Sequence, residues 1–296
     1  MSVKDLFNPL FSVIARGCEK SERIAEGIRR LDFKGKGRIV ERIRADAMNR
    51  EVTAACDGIK FRLDLRDDVQ REIYFNVFEK TELKQALDRV PVSGICLDIG
   101  ANNGVFALQF AKKVGAPGLV HAFEPDKNVF SRLAANCRLN LFDNVLKCHN
   151  MAVSNVNGAL TFYESSPNHS GWGSLEEFRD IAVHKETVQA ITLDDFIGRE
   201  NIRNVDFLKV DVEAHEPEVL EGASDSLRRQ VFRNILIEFN GIRLSQRGKV
   251  LEEFLQPIIA NGYAPIDFRT PRLEELRTAA IPPETVCTSL LFTARK

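Results

Sequence analysis

The sequence predicts an α/β fold built on a doubly wound, mostly parallel sheet, and two observations predict it. From Gly94 onward, short and nearly continuous apolar segments alternate with stretches of helical period, the pattern of strands covered on both faces. Between the first of these strands and the next helix stands "CLDIGANNG" (96–104). It puts an Asp, two Gly and two Asn in seven positions, a turn suited to close backbone approach.

The chain has 296 residues and is 44% hydrophobic, enough for a full-sized core; we expect a helical appendage over 1–50 and a main domain over 51–296. Near the start, Phe7, Leu10, Phe11, Val13 and Ile14 are broken by Asn8, Pro9 and Ser12. That run is too short and interrupted for a membrane span or a signal-peptide core, and is expected to pack as a short helix or tail. Ile24, Ile28 and Leu31, then Ile39, Ile43 and Ala47, recur at helical spacing around Gly35 and Gly37 and predict two amphipathic helices. Residues 16–44 hold ten Lys or Arg against five Asp or Glu, read as a solvated face because aromatics do not interleave beyond the single Phe33. In "VTAACDGIKFRLDL" the Asp57-Gly58 pair supplies the turn of a hairpin that opens the main domain. Val69, Ile73 and Val77, then Leu83 and Leu87, predict one or two helices leading to the sheet.

The expected strands are "GICLDIG", "LVHAFEP", "NVLKCHNMAVS", "VDFLKVDVE" and "NILIEFN". Helices among them carry Phe130, Ala134, Cys137 and Leu141, or Leu220, Ala223 and Leu227. Asn157-Gly158 within "AVSNVNGALTFYE" reads as a hairpin extending the third strand. The loop Ser165–Ser174 holds two Gly, a Pro and the only Trp, and is too polar for the core and too long for a plain turn. "GYAPIDF" and "TVCTSLLFTARK" are read as a terminal antiparallel hairpin closing one edge.

Lys and Arg total 41 against 42 Asp and Glu, a balance with no global attraction for nucleic acid or anionic lipid. The six cysteines form no CxxC pair, which argues against zinc and a disulfide framework and for reduced thiols in the cytoplasm.

A strand that ends in Asp98, turns through Gly100, Ala101, Asn102 and Gly104 and enters a helix brings bare N–H groups to a ligand at the carboxyl end of the sheet. The next strand ends in Glu124-Pro125, about 20 positions on, where an acidic side chain can accept from ribose hydroxyls. A dinucleotide site would use G-x-G-x-x-G and hold pyrophosphate. Here Asp98 repels phosphate and attracts a cationic sulfonium, so S-adenosylmethionine is preferred over a nicotinamide dinucleotide.

"LDIGANNGVFALQFA", "VHAFEPDKNVFSRLAANCRLN", "AVSNVNG", "ITLDDF" and "VDFLKVDVEAHEPEVLEGA", in this order over about residues 60–240, resemble the FkbM-type S-adenosylmethionine-dependent methyltransferases. The resemblance implies a Rossmann-like class I fold and methylation of a hydroxyl on a sugar, glycan or other small metabolite. Carried over position by position, it implies that Asp98, Gly100, Asn102 and Glu124 line the cofactor, with Ala152 near the adenine. One departure is Ala214-His215, where the family usually has Gly after the Glu.

"FLKVDVEAHEPEVLEGA" sets Lys209, Asp211 and Glu213 on alternate positions of a strand end, with Glu216 ahead of Pro217 in a first helical turn. A hydroxyl acceptor needs a base, and Asp211, Glu213 and Glu216 are the candidates, Glu213 first. The plainer alternative has Lys209 paired with Asp211 or Glu238 and Glu216 serving the helix N-terminus. No second His accompanies His215, so no metal is expected. His169 and Trp172 in the long loop are the candidates for holding the acceptor. Neither nucleic acid nor a membrane span enters this reading, and self-association is left open. The rivals are a cofactor-binding scaffold or sensor without catalysis and an NAD-dependent oxidoreductase.

Overall fold

Asp57 and Gly58 adopt φ of 48° and 77°, the two positive angles a two-residue reversal requires. The flanking segments pair across them as β1 (Glu51–Cys56) and β2 (Ile59–Asp64). The computed structural model describes residues 3–48, 50–178 and 182–295 and divides into two compact units, one of residues 1–80 and 166–171, the other of 81–165 and 172–296. The hairpin expected to open the main domain lies in the first of these units, with the N-terminal helices.

In the first unit, α1 (Val3–Lys20) and α2 (Glu22–Arg30) are separated by Ser21, whose hydroxyl accepts from the Ile24 amide and caps α2. The second expected amphipathic helix is cut to one turn, α3 (Lys36–Val40). It starts without a side-chain cap on the left-handed Gly35 and gives way to a 3-10 turn at Ala45–Met48. Asp67 caps α4 (Asp68–Tyr74) by accepting from the Gln70 amide at 2.9 Å.

The second unit begins in α5 (Lys80–Leu87) and then alternates as the sequence predicts: β3 (Ile95–Ile99), α6 (Val105–Val114), β4 (Leu119–Phe123), α7 (Lys127–Leu139), β5 (Leu146–His149). After an excursion through β6 (Ala152–Val153), β7 (Gly158–Glu164) and β8 (His184–Ile191) come α8 (Leu193–Arg199), β9 (Phe207–Val210), α9 (Glu216–Glu221), α10 (Ser224–Arg228) and β10 (Asn234–Asn240). The last elements are α11 (Gly241–Gln246), α12 (Leu251–Ile259), β11 (Tyr263–Ile266), α13 (Leu273–Arg277) and β12 (Cys287–Ala294).

The central sheet runs β11-β12-β10-β9-β3-β4-β5, with β3, β4, β5, β9 and β10 parallel and β12 antiparallel to both its neighbours. Its strands are apolar on both faces because helices cover both: Leu97, Ile99, Phe123, Leu208, Val210, Ile235 and Ile237 are all buried. The switch point lies between β3 and β9. There chain order reverses, and α/β sheets open a crevice at their carboxyl ends. Among the described residues no helix is long and apolar enough to cross a membrane.

Asn157-Gly158 does not make the expected hairpin. β6 and β7 both pair with β8, one parallel and one antiparallel, in a separate sheet of order β6-β8-β7. The Asn157 side chain accepts from the Thr192 amide at 3.1 Å instead of closing a turn on its own flanks. "ITLDDF" is a helix start and a tie: Thr192 caps α8, and Asp194 accepts from the Asp225 and Ser226 amides at the head of α10 at 2.9 and 2.8 Å.

Two backbone positions set the tolerances at the switch point. A Cβ on Gly100 would sit 1.8 Å from the Asp211 carbonyl oxygen, so Gly100→Ala should cost more than about 3 kcal/mol or abolish folding, read by urea denaturation. Ala214 holds φ 71°, where a side chain costs about 1–2 kcal/mol and glycine does not. Ala214→Gly should therefore raise stability by about 0.5–1 kcal/mol in the same assay, the greater freedom of unfolded glycine offsetting part of the relief.

Candidate active site

Asp98, one residue from the end of β3, is 1% exposed, and neither carboxyl oxygen makes a hydrogen bond of normal geometry among the described residues. Burial pushes its pKa up to about 6, against the pull of Lys209, its register partner on β9. Such a group is poised for a cationic partner. The turn that follows is held by the chain itself. The Gly100 and Ala101 amides both donate to the Phe123 carbonyl, and Asn102, at φ 48°, donates its amide to Glu124 Oε2 at 2.9 Å. Gly104 adopts φ 92°, and a Cβ there would meet Leu133 at 2.7 Å. These glycines serve the packing of β3 on β9 and of α6 on α7, not only approach by a ligand.

Glu124 accepts from Asn102 through one oxygen and from the Asp126 amide through the other at 2.9 Å, yet burial raises its pKa to about 8. Asn150 donates to the Glu124 and Pro125 carbonyls at 3.0 and 2.9 Å, which fixes the bend after β4, and Asp126 caps α7. Ala152 is buried in the apolar cluster of the small sheet with Phe162, Val188 and Ala190.

The strand alternation expected to align Lys209, Asp211 and Glu213 stops at Val210. Beyond it Glu213 and Ala214 take φ of 55° and 71°, and a left-handed turn, not the pleat, places the carboxylates. Lys209 Nζ lies 2.9 Å from Asp211 Oδ2, with the Phe106 ring centroid at 4.9 Å. Glu213 Oε2 is 3.2 Å from Arg243 Nη1, and the Ser174 hydroxyl donates to its carbonyl at 2.8 Å. The Arg243 guanidinium stands over Phe178 at 4.8 Å and Trp172 at 5.8 Å. Glu216 is wholly buried at the first residue of α9; its Oε1 accepts from the Val212 amide at 2.9 Å, its Oε2 has no partner among the described residues, and burial raises its pKa well above the carboxylate range. Glu238 on β10 joins this group. Its pKa is likewise raised by burial and by Asp211 and Glu213, and the Cys287 thiol donates to it at 3.2 Å.

The structure thus brings together Asp98, Asp211, Glu213 and Glu216 at the carboxyl ends of β3 and β9, and links Trp172 to Glu213 through Arg243. His169 belongs to the first unit, where its Nδ1 lies 2.7 Å from Asp68 Oδ2. His215, in the departure from the family pattern, sits between Ser154 Oγ at 2.9 Å and Glu176 Oε1 at 2.7 Å. Arg243 and the full part of Glu238 escape sequence reasoning. A lone Glu inside "NILIEFN" was a visible signal, since an isolated charge in a buried strand needs a partner.

Glu216 gives a test of this electrostatics. Its proton is held more tightly in the folded chain than in the unfolded one, where it leaves near the ordinary 4.5. Below that pH both states are protonated. As pH rises above it the unfolded state ionises first, and stability falls. Glu216→Gln cannot ionise, so without ligand its Tm should exceed wild type by a margin that grows from pH 5 to pH 8, to at least about 2–4 °C, in differential scanning fluorimetry. Parallel curves would mean that Glu216 ionises normally.

The "Methyltransferase FkbM domain" family matches residues 98–265, the stretch from the last buried charge of β3 to β11. "Methyltransferase 1" of Beauveria bassiana is 30% identical over 165 residues, half of this chain and 65% of that protein. "2-O-methyltransferase NoeI" of Sinorhizobium fredii is 26% identical, with 47% of this chain and 60% of that one covered. "Hexuronic acid methyltransferase AglP" of Haloferax volcanii is 24% identical, covering 59% and 68%. The chain spans somewhat less than two thirds of the length of the first two relatives. With the family matched over more than half of the chain, and over the residues that form the β3–β9 crevice, the protein belongs to the FkbM methyltransferase family.

Proposed function

We propose that the second unit transfers a methyl group from S-adenosylmethionine to a hydroxyl of a sugar, glycan or small metabolite, with the N-terminal helices as an appendage. The observation that carries this reading is Asp98, a buried carboxyl at the switch point whose oxygens make no hydrogen bond of normal geometry among the described residues, which fits a ligand bearing positive charge. Glu124, at the end of β4, still has acceptor capacity on both oxygens and suits the ribose hydroxyls. When bound, S-adenosylmethionine supplies an electrophilic methyl group on a good leaving group. Glu213, oriented by Arg243, takes the acceptor proton as the new O–CH3 bond forms, and Trp172 presents a flat apolar face for a sugar ring. The names of two relatives support the reading, a 2-O-methyltransferase for transfer to oxygen and a hexuronic acid methyltransferase for a carbohydrate acceptor.

The reading is tested by incubating the protein with methyl-labelled S-adenosylmethionine and a panel of sugars and uronic acids, where transfer to none would overturn it. Glu124→Ala should weaken cofactor affinity about tenfold or more in calorimetry, the cost of leaving buried ribose hydroxyls without their acceptor. Glu213→Gln should lower the single-turnover rate about a hundredfold with cofactor binding intact, and Trp172→Ala should raise the acceptor KM instead.

A further inference from the structure

Five carboxyls, Asp98, Asp211, Glu213, Glu216 and Glu238, gather near the ends of β3, β9 and β10, against two cations, Lys209 and Arg243. Three of the five converge more closely: one oxygen each from Asp211, Glu216 and Glu238 lies within 4.8 Å of the other two. Their protein contacts are Lys209 Nζ on Asp211 Oδ2, the Val212 amide on Glu216 Oε1 and the Cys287 thiol on Glu238 Oε1. Buried Glu216 Oε2 and Glu238 Oε2 have no hydrogen-bond partner among the described residues, and Glu216 is 0% exposed. An orphaned buried carboxylate oxygen is costly unless the group holds a proton or something cationic completes it, and a bound cation would displace that proton.

A second cluster shows the contrast. Glu176, His215 and Glu218 also converge, but Arg247 lies 2.9 Å from Glu176 and 2.6 Å from Glu218, so that group is neutralised from within the chain. No arginine plays that part for Glu216 and Glu238 among the described residues. We propose that Asp211, Glu216 and Glu238 bind a hard divalent cation of the Mg2+ or Mn2+ class. An all-oxygen donor set selects such ions over zinc or copper. Ligands at about 2.0–2.6 Å from one ion stand roughly 3–5 Å apart, a spread the three oxygens already meet. Three protein ligands leave positions of an octahedral ion for water and for an acceptor oxygen. Resting on the hydroxyl-acceptor reading above, the ion would orient that hydroxyl and ease loss of its proton to Glu213.

The test reads metal directly and does not depend on methyl transfer. Mn2+ is titrated into the cofactor-free protein, freed of metal by chelator, and bound ion is followed by electron paramagnetic resonance and calorimetry. One Mn2+ per chain is expected with Kd below about 1 mM. Glu238→Gln and Asp211→Asn, each shown folded by its unfolding transition, should each weaken it at least tenfold, while Glu176→Gln should leave it unchanged. No binding at 5 mM Mn2+, or binding that survives both substitutions or is lost with Glu176→Gln, would overturn the proposal. Methylation that proceeds fully in chelator would remove the catalytic part and leave the hydroxyl-acceptor reading standing.

Discussion

The contact on which the second unit depends is the crossing of two backbones, Gly100 against the Asp211 carbonyl, closed by the Asp211 amide donating to Ile99 at 3.0 Å. Two strands that end side by side at the switch point must diverge, because each leads into a different helix. They can do so at this distance only if one has no side chain at the crossing. That single steric condition brings Asp98 and Lys209 into register and delivers Asp211 to the mouth of the crevice. It also explains the left-handed turn after β9: having passed Gly100, the chain must reverse within a few residues to start α9, and Glu213 and Ala214 absorb the reversal.

Negative charge accumulates where that geometry puts it. Carboxyls that would scatter in an open loop are held behind helices, so burial raises the pKa of Asp98, Glu124, Glu216 and Glu238 together. A protein does not keep four such groups for its own stability. In the reading proposed above, they face ligands of opposite sign, which is where fold and chemistry meet in this chain.

Much of this was legible in the sequence because the relevant signals are local. Asp57-Gly58, the apolar strands and the Asp-x-Gly turn carry their conformations in neighbouring residues, and the structure has them at the expected places, except that the expected third strand is divided between β5 and β6, which lie in different sheets. Long-range pairing was not legible. Asn157-Gly158 has the composition of a hairpin, but β8, some thirty residues on, offers β6 and β7 a shared partner and wins. The cation at Glu213 is likewise supplied from a distance, by Arg243 on α11, and no spacing rule could have found it. The alternation through Lys209 and Glu213 misled for a simpler reason: a period of two was extended past the end of its strand.

The order of strands has a consequence for the synthesis of the chain. β12 follows β11 in sequence but lies between it and β10 in the sheet. Until Cys287–Ala294 has emerged, β10 exposes one edge and β11 has no partner at all. The nascent protein therefore passes through a stage with an open, apolar edge, "NILIEFN", able to pair with another chain. Such an unpaired apolar edge is open to misassociation until β12 pairs with it.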